Sequence, residues 1–390
     1  MPIKNRYAEL QQEITAWRHD FHIHPELLFE VHRTAAKVAE LLRQFGCDEV
    51  VEGIGRTGVV GVIKGQNTDS GKVIGLRADM DALPIHETTG LDYASKTPGM
   101  MHACGHDGHT AMLLGAAKYL TETRNFNGTA VVVFQPAEEG GAGGLEMCRD
   151  GLMDRFGIQE IYGLHNMPGL PVGQFAIRPG ALLASSDEFD IVVTGQGGHA
   201  AAPHEAVDTT LVAAQILLSL QTVVSRTVNP IKRVVLTVGT FETDSVASNV
   251  IAHTVRMKGT VRTLDAEYRD IAQTRIREIV AGTASALGAS ATIDWQTGYP
   301  VTMNTPENTV YAADVARSIS GEVDDEIDPI MPSEDFSYML EERPGAYIFL
   351  GNGDTAFCHH PAYNFDDEAI PYGSSWLSGM IEARMPSFAD

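Results

Sequence analysis

The chain has little positive charge and no long apolar run. Its 390 residues carry 51 acidic and 28 basic side chains, which gives a formal net charge of -23. Such an acidic balance disfavours nucleic acid and anionic membranes as partners. Because no run of about 18 consecutive apolar residues occurs, the sequence predicts no transmembrane helix.

Cysteine is also scarce, and no apolar core typical of a signal peptide follows Met1. The cysteines are too few and too scattered for a disulfide framework, and they are Cys47, Cys104, Cys148 and Cys358. We therefore expect a reducing, cytoplasmic location.

Four short apolar strands lead to residues that handle metal ions or protons, three of them directly and the fourth, which ends at Leu350, through a turn. Helical sequence alternates with these strands, which predicts an α/β fold with a mostly parallel sheet. In such sheets the functional site lies beyond the carboxyl ends of the strands. The residues that follow the four strands are Asp79-Met80-Asp81, Gln135-Pro136-Ala137-Glu138-Glu139, His165-Asn166 and His359-His360.

The middle of the chain follows a different pattern. Residues 186–298 read as strand, helix, strand, strand, helix, strand, which is the order of a ferredoxin-like α+β module. We interpret this module as an insert, with residues 1–185 and 299–390 forming one α/β domain. Its apolar helix at 211–220 and its strand edges are candidates for a subunit interface.

The segment Met101–Thr110 contains three histidines, a cysteine and an aspartate just before a helix-forming stretch. Thiolate sulfur and imidazole nitrogen are ligands suited to zinc and its borderline neighbours. A helix start with a buried cysteine is the alternative interpretation. Residues supplied by the other strand ends favour a metal site.

The candidate ligands are too many for one tetrahedral shell, so they predict a site for two ions. Beside them, Glu138 is a carboxylate that can take a proton from a water and pass it to a leaving amine. Asp81 is a candidate for orienting the site. The candidate ligands are Cys104, His106, Glu139, His165 and His359.

Motifs along essentially the whole chain resemble the M20 metallopeptidase clan, in its branch of amidohydrolases that cleave N-acyl amino acids. That branch includes hippurate hydrolases, aminoacylase-like enzymes and plant auxin-conjugate hydrolases. The motifs are Met-His-Ala-Cys-Gly-His-Asp-Gly-His-Thr, Phe-Gln-Pro-Ala-Glu-Glu, Gly-Leu-His-Asn, Gly-Gln-Gly-Gly-His-Ala-Ala-Ala-Pro-His and His-His-Pro.

The resemblance implies a zinc-peptidase-like catalytic domain with two divalent ions on the five ligands named above. It implies Glu138 as general acid and base, with Asp81 steadying the site from outside the ligand shell. His359 is preferred to His360 because the family's ligand precedes a variable residue and then proline. The insert resembles the family's lid and dimerisation domain, so we expect a homodimer or a dimer-based oligomer.

Further roles rest on the resemblance alone. His199 would polarise the scissile carbonyl, from its own or a neighbouring subunit. Asn249 matches a position that binds the substrate carboxylate, and Arg262 is an alternative anchor through a bidentate contact. Many relatives have His-x-Asp at residues 79–81 and a bridging Asp at Cys104, so the metal stays open among zinc, manganese, cobalt and nickel.

These observations predict metal-dependent hydrolysis of an N-acyl amino acid, hippurate-like or N-acetylated, to a carboxylic acid and a free amino acid. Carbamoyl amino acids or dipeptides are alternative substrates of the same site. A Cys104 nucleophile activated by His106 and a non-catalytic metal-binding or ligand-binding relative are further alternatives. The acyl group, the amino acid and its stereochemistry are left open.

Overall fold

The computed structural model describes residues 5–387, which form two compact units. The first comprises the described residues up to Leu182, Thr302–Asp328 and the described residues from Asp335 onward. The second comprises Leu183–Val301 and Pro329–Glu334. The domain boundaries expected from the sequence, and the roles given to the two domains, stay predictions.

The helices of the described chain include a long buried one that follows the cysteine and histidine segment. Among residues 5–387, none of the helices is long and apolar enough to cross a membrane. In chain order they are α1 (Asn5–Ile23), α2 (His32–Phe45), α3 (His106–Thr123), α4 (Gly143–Arg149), α5 (Leu152–Arg155), α6 (Thr209–Thr222), α7 (Ala266–Ala286), α8 (Pro306–Ser320), α9 (Phe336–Glu342) and α10 (Ile370–Arg384).

The strands are mostly short, and the longest belong to the second unit. In chain order they are β1 (Glu49–Ile54), β2 (Gly58–Lys64), β3 (Val73–Asp79), β4 (Thr129–Gln135), β5 (Glu160–Met167), β6 (Phe175–Ala176), β7 (Gly180–Leu183), β8 (Ser185–Thr194), β9 (Gly198–His199), β10 (Val234–Thr243), β11 (Val250–Ile251), β12 (Thr254–Thr263), β13 (Ser290–Thr297), β14 (Thr302–Asn304), β15 (Val323–Asp324) and β16 (Gly345–Gly351).

The large sheet of the first unit has the order β1-β2-β4-β3-β5-β16-β6-β15. Its central strands β4, β3, β5 and β16 are neighbours and run parallel to one another. Nearly every residue of β3, β4 and β16 is buried, which explains why these strands read as continuous apolar runs. The four strands singled out in the sequence therefore end side by side at one edge.

Helix α3 is buried on nearly all sides, in keeping with its apolar sequence. It packs against α1 and α10 and begins at that same sheet edge. The helix thus brings the residues of its first turn to the carboxyl ends of the central strands.

The second unit contains a four-stranded antiparallel sheet of order β10-β12-β8-β13. Helices α6 and α7 pack on it, and buried residues recur at every second position of β8, as expected when one face is covered. The strand order of this sheet and the connections between its strands and helices are those of a ferredoxin-like module. The prediction of an α/β fold with an inserted ferredoxin-like module is confirmed.

Candidate metal centre

Chemistry-bearing side chains from five segments of the first unit meet beyond the central strands. Asp81 follows β3, the two glutamates follow β4, and His165 lies near the end of β5. His359 lies in the loop after β16, while Cys104 and His106 stand at the start of α3.

Gly105 makes the close approach of the α3 loop possible. Its φ of 90° lies in the left-handed region, where glycine has no steric penalty. A Cβ atom there would lie 2.3 Å from the Asn166 side-chain nitrogen and 2.5 Å from the Tyr363 hydroxyl. The residue between Cys104 and His106 must therefore be glycine for both to lie this deep.

One group of candidate ligands consists of Cys104, His106 and His165, whose ligand atoms all lie within 4.8 Å of one another. The Cys104 Sγ is 3.4 Å from the Nε2 of His165. All three residues are buried or half-buried. Sulfur and two imidazole nitrogens form a donor set that zinc and related ions accept.

A second group, Cys104, Glu139 and His359, is equally tight. The Glu139 Oε1 is 3.2 Å from the His359 Nε2. Cys104 belongs to both groups, so the arrangement offers two neighbouring three-ligand positions that share one sulfur. Glu138 lies beside them, in a third group with His106 and Glu139.

Asp81 holds the two glutamates by their backbone. Its Oδ1 accepts from the backbone N–H of Glu138 and its Oδ2 from that of Glu139, each at 3.0 Å. Burial raises the pKa of this carboxyl. Because both oxygens are engaged, Asp81 orients the glutamates from outside the ligand groups.

Backbone carbonyls fix two of the imidazoles. The Nδ1 of His106 donates to the Asp81 carbonyl at 2.9 Å, and the Nδ1 of His165 donates to the Asn166 carbonyl at 2.6 Å. Such bonds leave Nε2 of each ring as the lone-pair atom. Both Nε2 atoms belong to the groups of candidate ligands.

A buried polar atom without a hydrogen-bond partner indicates whether an ion fits these residues. The His106 Nε2 is buried and has no hydrogen-bond partner. Leaving such groups unsatisfied costs about 1–3 kcal/mol each. Once deprotonated, this nitrogen offers a lone pair beside a thiol and a carboxylate, and a divalent cation would satisfy it.

The protonation preferences reflect the anionic surroundings. Burial opposes the charged form of His106, but Asp79, Asp81 and Glu139 outweigh it and raise the pKa to about 10. Burial and the nearby His109 lower the pKa of His165 to about 3. A cation is thus attracted to the site and must displace a proton from His106.

The thiol of Cys104 also favours its protonated form. The neighbouring Cys358 thiol, followed by burial and the charge of Glu139, raises the pKa of Cys104 well above its usual value. Thiolate is the ligand form of cysteine, so an ion that binds here releases this proton.

The two adjacent histidines after β16 have different surroundings. His359 has a φ of 68°, unusual for a residue with a side chain. Its imidazole faces Glu139, whereas the Nδ1 of His360 accepts from the backbone N–H of Ala362 at 3.1 Å. Of the two, His359 joins the candidate ligands.

Residues without an individually predicted role support this arrangement. The Asn166 side-chain nitrogen donates to the Cys104 carbonyl at 2.6 Å, and its oxygen accepts from the Tyr363 hydroxyl at 2.8 Å. His109 donates from Nδ1 to Asp79 at 2.7 Å. Asn166 directly follows a candidate ligand at a strand end, which was the available signal.

The remaining predicted residues lie in the second unit. His199 is opposite Val250 in the short β9–β11 pairing, and the backbone N–H of Ala200 donates to the Asn249 carbonyl at 3.0 Å. His199 and Asn249 are therefore close together, and both are exposed. Arg262 is half-buried and donates to the Ser333 hydroxyl at 2.9 Å.

Sheet and site together define a class. A mostly parallel α/β sheet that gathers sulfur, nitrogen and carboxylate donors beside an additional glutamate is the arrangement of a metal-dependent hydrolase. Comparison with known proteins then specifies the family. Residues 75–383 match the model of peptidase family M20/M25/M40. The chain belongs to this family.

Similar proteins share nearly the full length of the chain. It is 44% identical to a hippurate hydrolase of Campylobacter jejuni over 95% of this chain and 96% of that protein. It is 40% identical to an N-acetyl-L-cysteine deacetylase of Bacillus subtilis, over 95% of this chain and 88% of that protein.

A solved structure gives a similar result. The crystal structure of a dinuclear metal-binding peptidase of the M20 family from Bacillus subtilis superposes with a TM-score of 0.84 and 33% identity, covering 97% of this chain and 99% of that one. The predictions of the family and of a metal-dependent amidohydrolase are confirmed, and divalent metal binding is supported. The roles of individual site residues stay predictions.

Proposed function

We propose that this chain hydrolyses the amide bond of N-acyl amino acids, releasing a carboxylic acid and a free amino acid. Both relatives described above carry names of enzymes that act on such compounds, hippurate being N-benzoylglycine. The single observation that carries the proposal is the pair of ligand groups sharing Cys104, with Glu138 beside them.

Divalent ions bound there would polarise the substrate carbonyl and lower the pKa of a water towards about 7. Glu138 would take a proton from the attacking water and deliver it to the nitrogen of the scissile amide, so that the amine leaves neutral. Its backbone is held by Asp81, and its Oε1 accepts from the backbone N–H of Asp335 at 3.4 Å. The carboxylate is thereby kept next to Glu139.

Two ions per chain are proposed, since two ligand groups are present and Cys104 belongs to both. The donor set mixes thiolate, imidazole and carboxylate, which suits zinc and its borderline neighbours cobalt and nickel as well as manganese. His359 completes the second group, and we propose it as a ligand in preference to His360.

Residues of the second unit are proposed to contact the substrate. We assign His199 to the scissile carbonyl, and Asn249, or alternatively Arg262, to the substrate carboxylate. An exposed face of this unit, including Leu211 and Leu218 of α6, is proposed as a dimer surface. A cytoplasmic location is proposed on the strength of the few, scattered cysteines.

A substrate panel tests the proposal. Metal-stripped protein would be loaded with zinc, manganese, cobalt or nickel and given hippurate, N-acetyl amino acids, N-carbamoyl amino acids and dipeptides. We expect the loaded protein to release free amino acid from the first two classes. Turnover restricted to carbamoyl amino acids or dipeptides would replace the proposed substrate class. Binding of these compounds without turnover of any of them would contradict the proposal that the chain is an enzyme.

A further inference from the structure

A second cysteine lies at the metal centre without a role in it. Cys358 directly precedes His359, and the backbone N–H of His359 donates to the Ala103 carbonyl at 2.7 Å. Ala103 in turn directly precedes Cys104. This one backbone bond therefore ties together the two segments that carry the cysteines.

That bond brings the two cysteines near each other. Cys358 lies directly before the donor of that bond, and Cys104 lies directly after its acceptor. A disulfide needs Cα atoms about 4.4–6.8 Å apart, so only neighbouring segments such as these can form one. Their thiols interact directly, which is the largest influence on the pKa of each.

Access to the pair is asymmetric. Cys104 is buried at 8% exposure, whereas Cys358 is half-buried and follows Phe357, which is 58% exposed. An oxidant in solvent therefore meets Cys358 first. Cys47 and Cys148 lie elsewhere, after α2 and within α4, and serve as internal comparisons.

We propose that Cys104 and Cys358 form a reversible disulfide when the centre is metal-free, and that this bond blocks metal binding. The inference deepens the proposed function, on which it rests, by assigning regulation to the same site. Cys104 belongs to both ligand groups, so a disulfide at its sulfur would remove a ligand from both metal positions at once.

The chemistry balances with a hydroperoxide as the oxidant. The Cys358 sulfur attacks a peroxide oxygen, and one molecule of water leaves as a sulfenic acid forms. The Cys104 sulfur then displaces the sulfenic hydroxyl, and a second water leaves as the sulfur–sulfur bond forms. Two thiols lose two protons and two electrons, and hydrogen peroxide is reduced to two waters. A small dithiol reverses the step by exchange.

A bound ion opposes this step because it occupies the Cys104 sulfur. The disulfide and the metal therefore compete for one atom. Loaded protein is expected to resist oxidation, while metal-free protein is trapped until it is reduced.

The test uses chelator-stripped full-length protein, treated with one equivalent of hydrogen peroxide and then desalted. Peptide mapping by mass spectrometry is expected to show a Cys104–Cys358 cross-link, and calorimetric titration with Zn²⁺ is expected to show affinity weaker by about tenfold or more, as for the loss of a ligand. Dithiothreitol should restore both readouts. Protein loaded with Zn²⁺ before treatment should contain little cross-link.

Matched variants make the outcome specific. Cys358→Ser should form no cross-link, whereas Cys148→Ser should form it as the wild type does. Absence of the link in oxidised wild type, or undiminished Zn²⁺ binding by the linked protein, overturns the inference. Neither readout involves hydrolysis, so the two proposals can fail separately. If the cross-link forms but the reduced, metal-loaded protein hydrolyses no substrate, the disulfide stands and the proposed function is contradicted.

Discussion

Two buried ionic clusters meet at the first turn of α3, and they differ in where their positive charge comes from. His106 faces the metal centre. The next residue, Asp107, faces the other way, with its Oδ2 3.0 Å from the Arg18 Nη1 and 2.8 Å from the His22 Nδ1. We call this second group, Arg18, His22 and Asp107, the arginine cluster.

The arginine cluster supplies its own cations. Burial disfavours an imidazolium, but Asp107 outweighs it and raises the pKa of His22 to about 9. His22 and Arg18 in turn hold the pKa of Asp107 well below its usual range, against its burial. The candidate ligands of the metal centre include neither lysine nor arginine. The cationic side chain of the metal-free centre is His106, which can give up its proton when an exogenous ion binds, whereas Arg18 cannot.

The largest expected effect separates the two neighbouring glutamates of the metal centre. Glu138→Gln removes the proton carrier and should lower kcat by about 10²–10⁴-fold while ion binding persists. Glu139→Gln should instead weaken ion binding. Calorimetric titration beside steady-state kinetics distinguishes the two variants, and equal ion loss in both would contradict the roles given to them.

The arginine cluster should respond to mutation through stability. Asp107→Asn leaves Arg18 and His22 without their buried anion, so we expect a loss of about 3–5 kcal/mol in the free energy of unfolding. Chemical denaturation measures it. Asp48→Asn, at the exposed pair with Arg124, is the control and should cost at most about 1 kcal/mol. Similar losses of unfolding free energy in Asp107→Asn and Asp48→Asn would contradict the distinction drawn between buried and surface ion pairs.

A smaller change is expected where a residue only supports the metal centre. Asp81→Asn keeps the shape of the side chain but puts a donor group against one of the two backbone N–H groups it now accepts from. We expect about 10–100-fold weaker metal affinity, measured by competition with a chromogenic chelator. Exposed Asp92→Asn should leave affinity unchanged, and an unchanged Asp81→Asn would show that the backbone clamp is dispensable.

The smallest effect is a pH dependence from the arginine cluster. The pKa of His22 rises from 6.5 to about 9 on folding, so its contribution to stability is complete below pH 6.5 and is lost as pH rises towards about 9. Denaturation of metal-free protein should show this decline. Because His106 contributes a decline of the same sign, His22→Gln should reduce the slope without abolishing it, whereas exposed His32→Gln should leave it intact. An unchanged slope in His22→Gln contradicts the assignment.

Local patterns were enough to predict the strand-end residues. The carboxyl ends of parallel strands meet at one edge, so Glu139 and His165 could be placed together without coordinates. The Asp81 clamp could not, because it depends on which backbone N–H groups face a side chain from another strand. The roles of Asn166, Tyr363 and Cys358 likewise depend on contacts between segments far apart in the chain.

His22 shows the opposite difficulty. A histidine-rich link at residues 22–26 looks chemically similar to the segment at 101–110, and only the neighbours distinguish them. Arg18, one helical turn before His22, supplies the charge that makes its cluster self-sufficient. The sequence spacing predicts that Arg18 lies near His22. It does not predict that Asp107, from a distant segment, lies between them.

Ion stoichiometry measured together with turnover tests the central claim most directly. Chelator-stripped protein would be titrated with Zn²⁺, Mn²⁺, Co²⁺ or Ni²⁺ in a calorimeter, and each loading assayed on hippurate and N-acetyl amino acids beside Glu138→Gln. The account predicts two ions per chain, no hydrolysis without them, and bound ions without hydrolysis in the variant. Full hydrolysis by the stripped wild type would contradict it and would turn attention to Cys104 as a nucleophile.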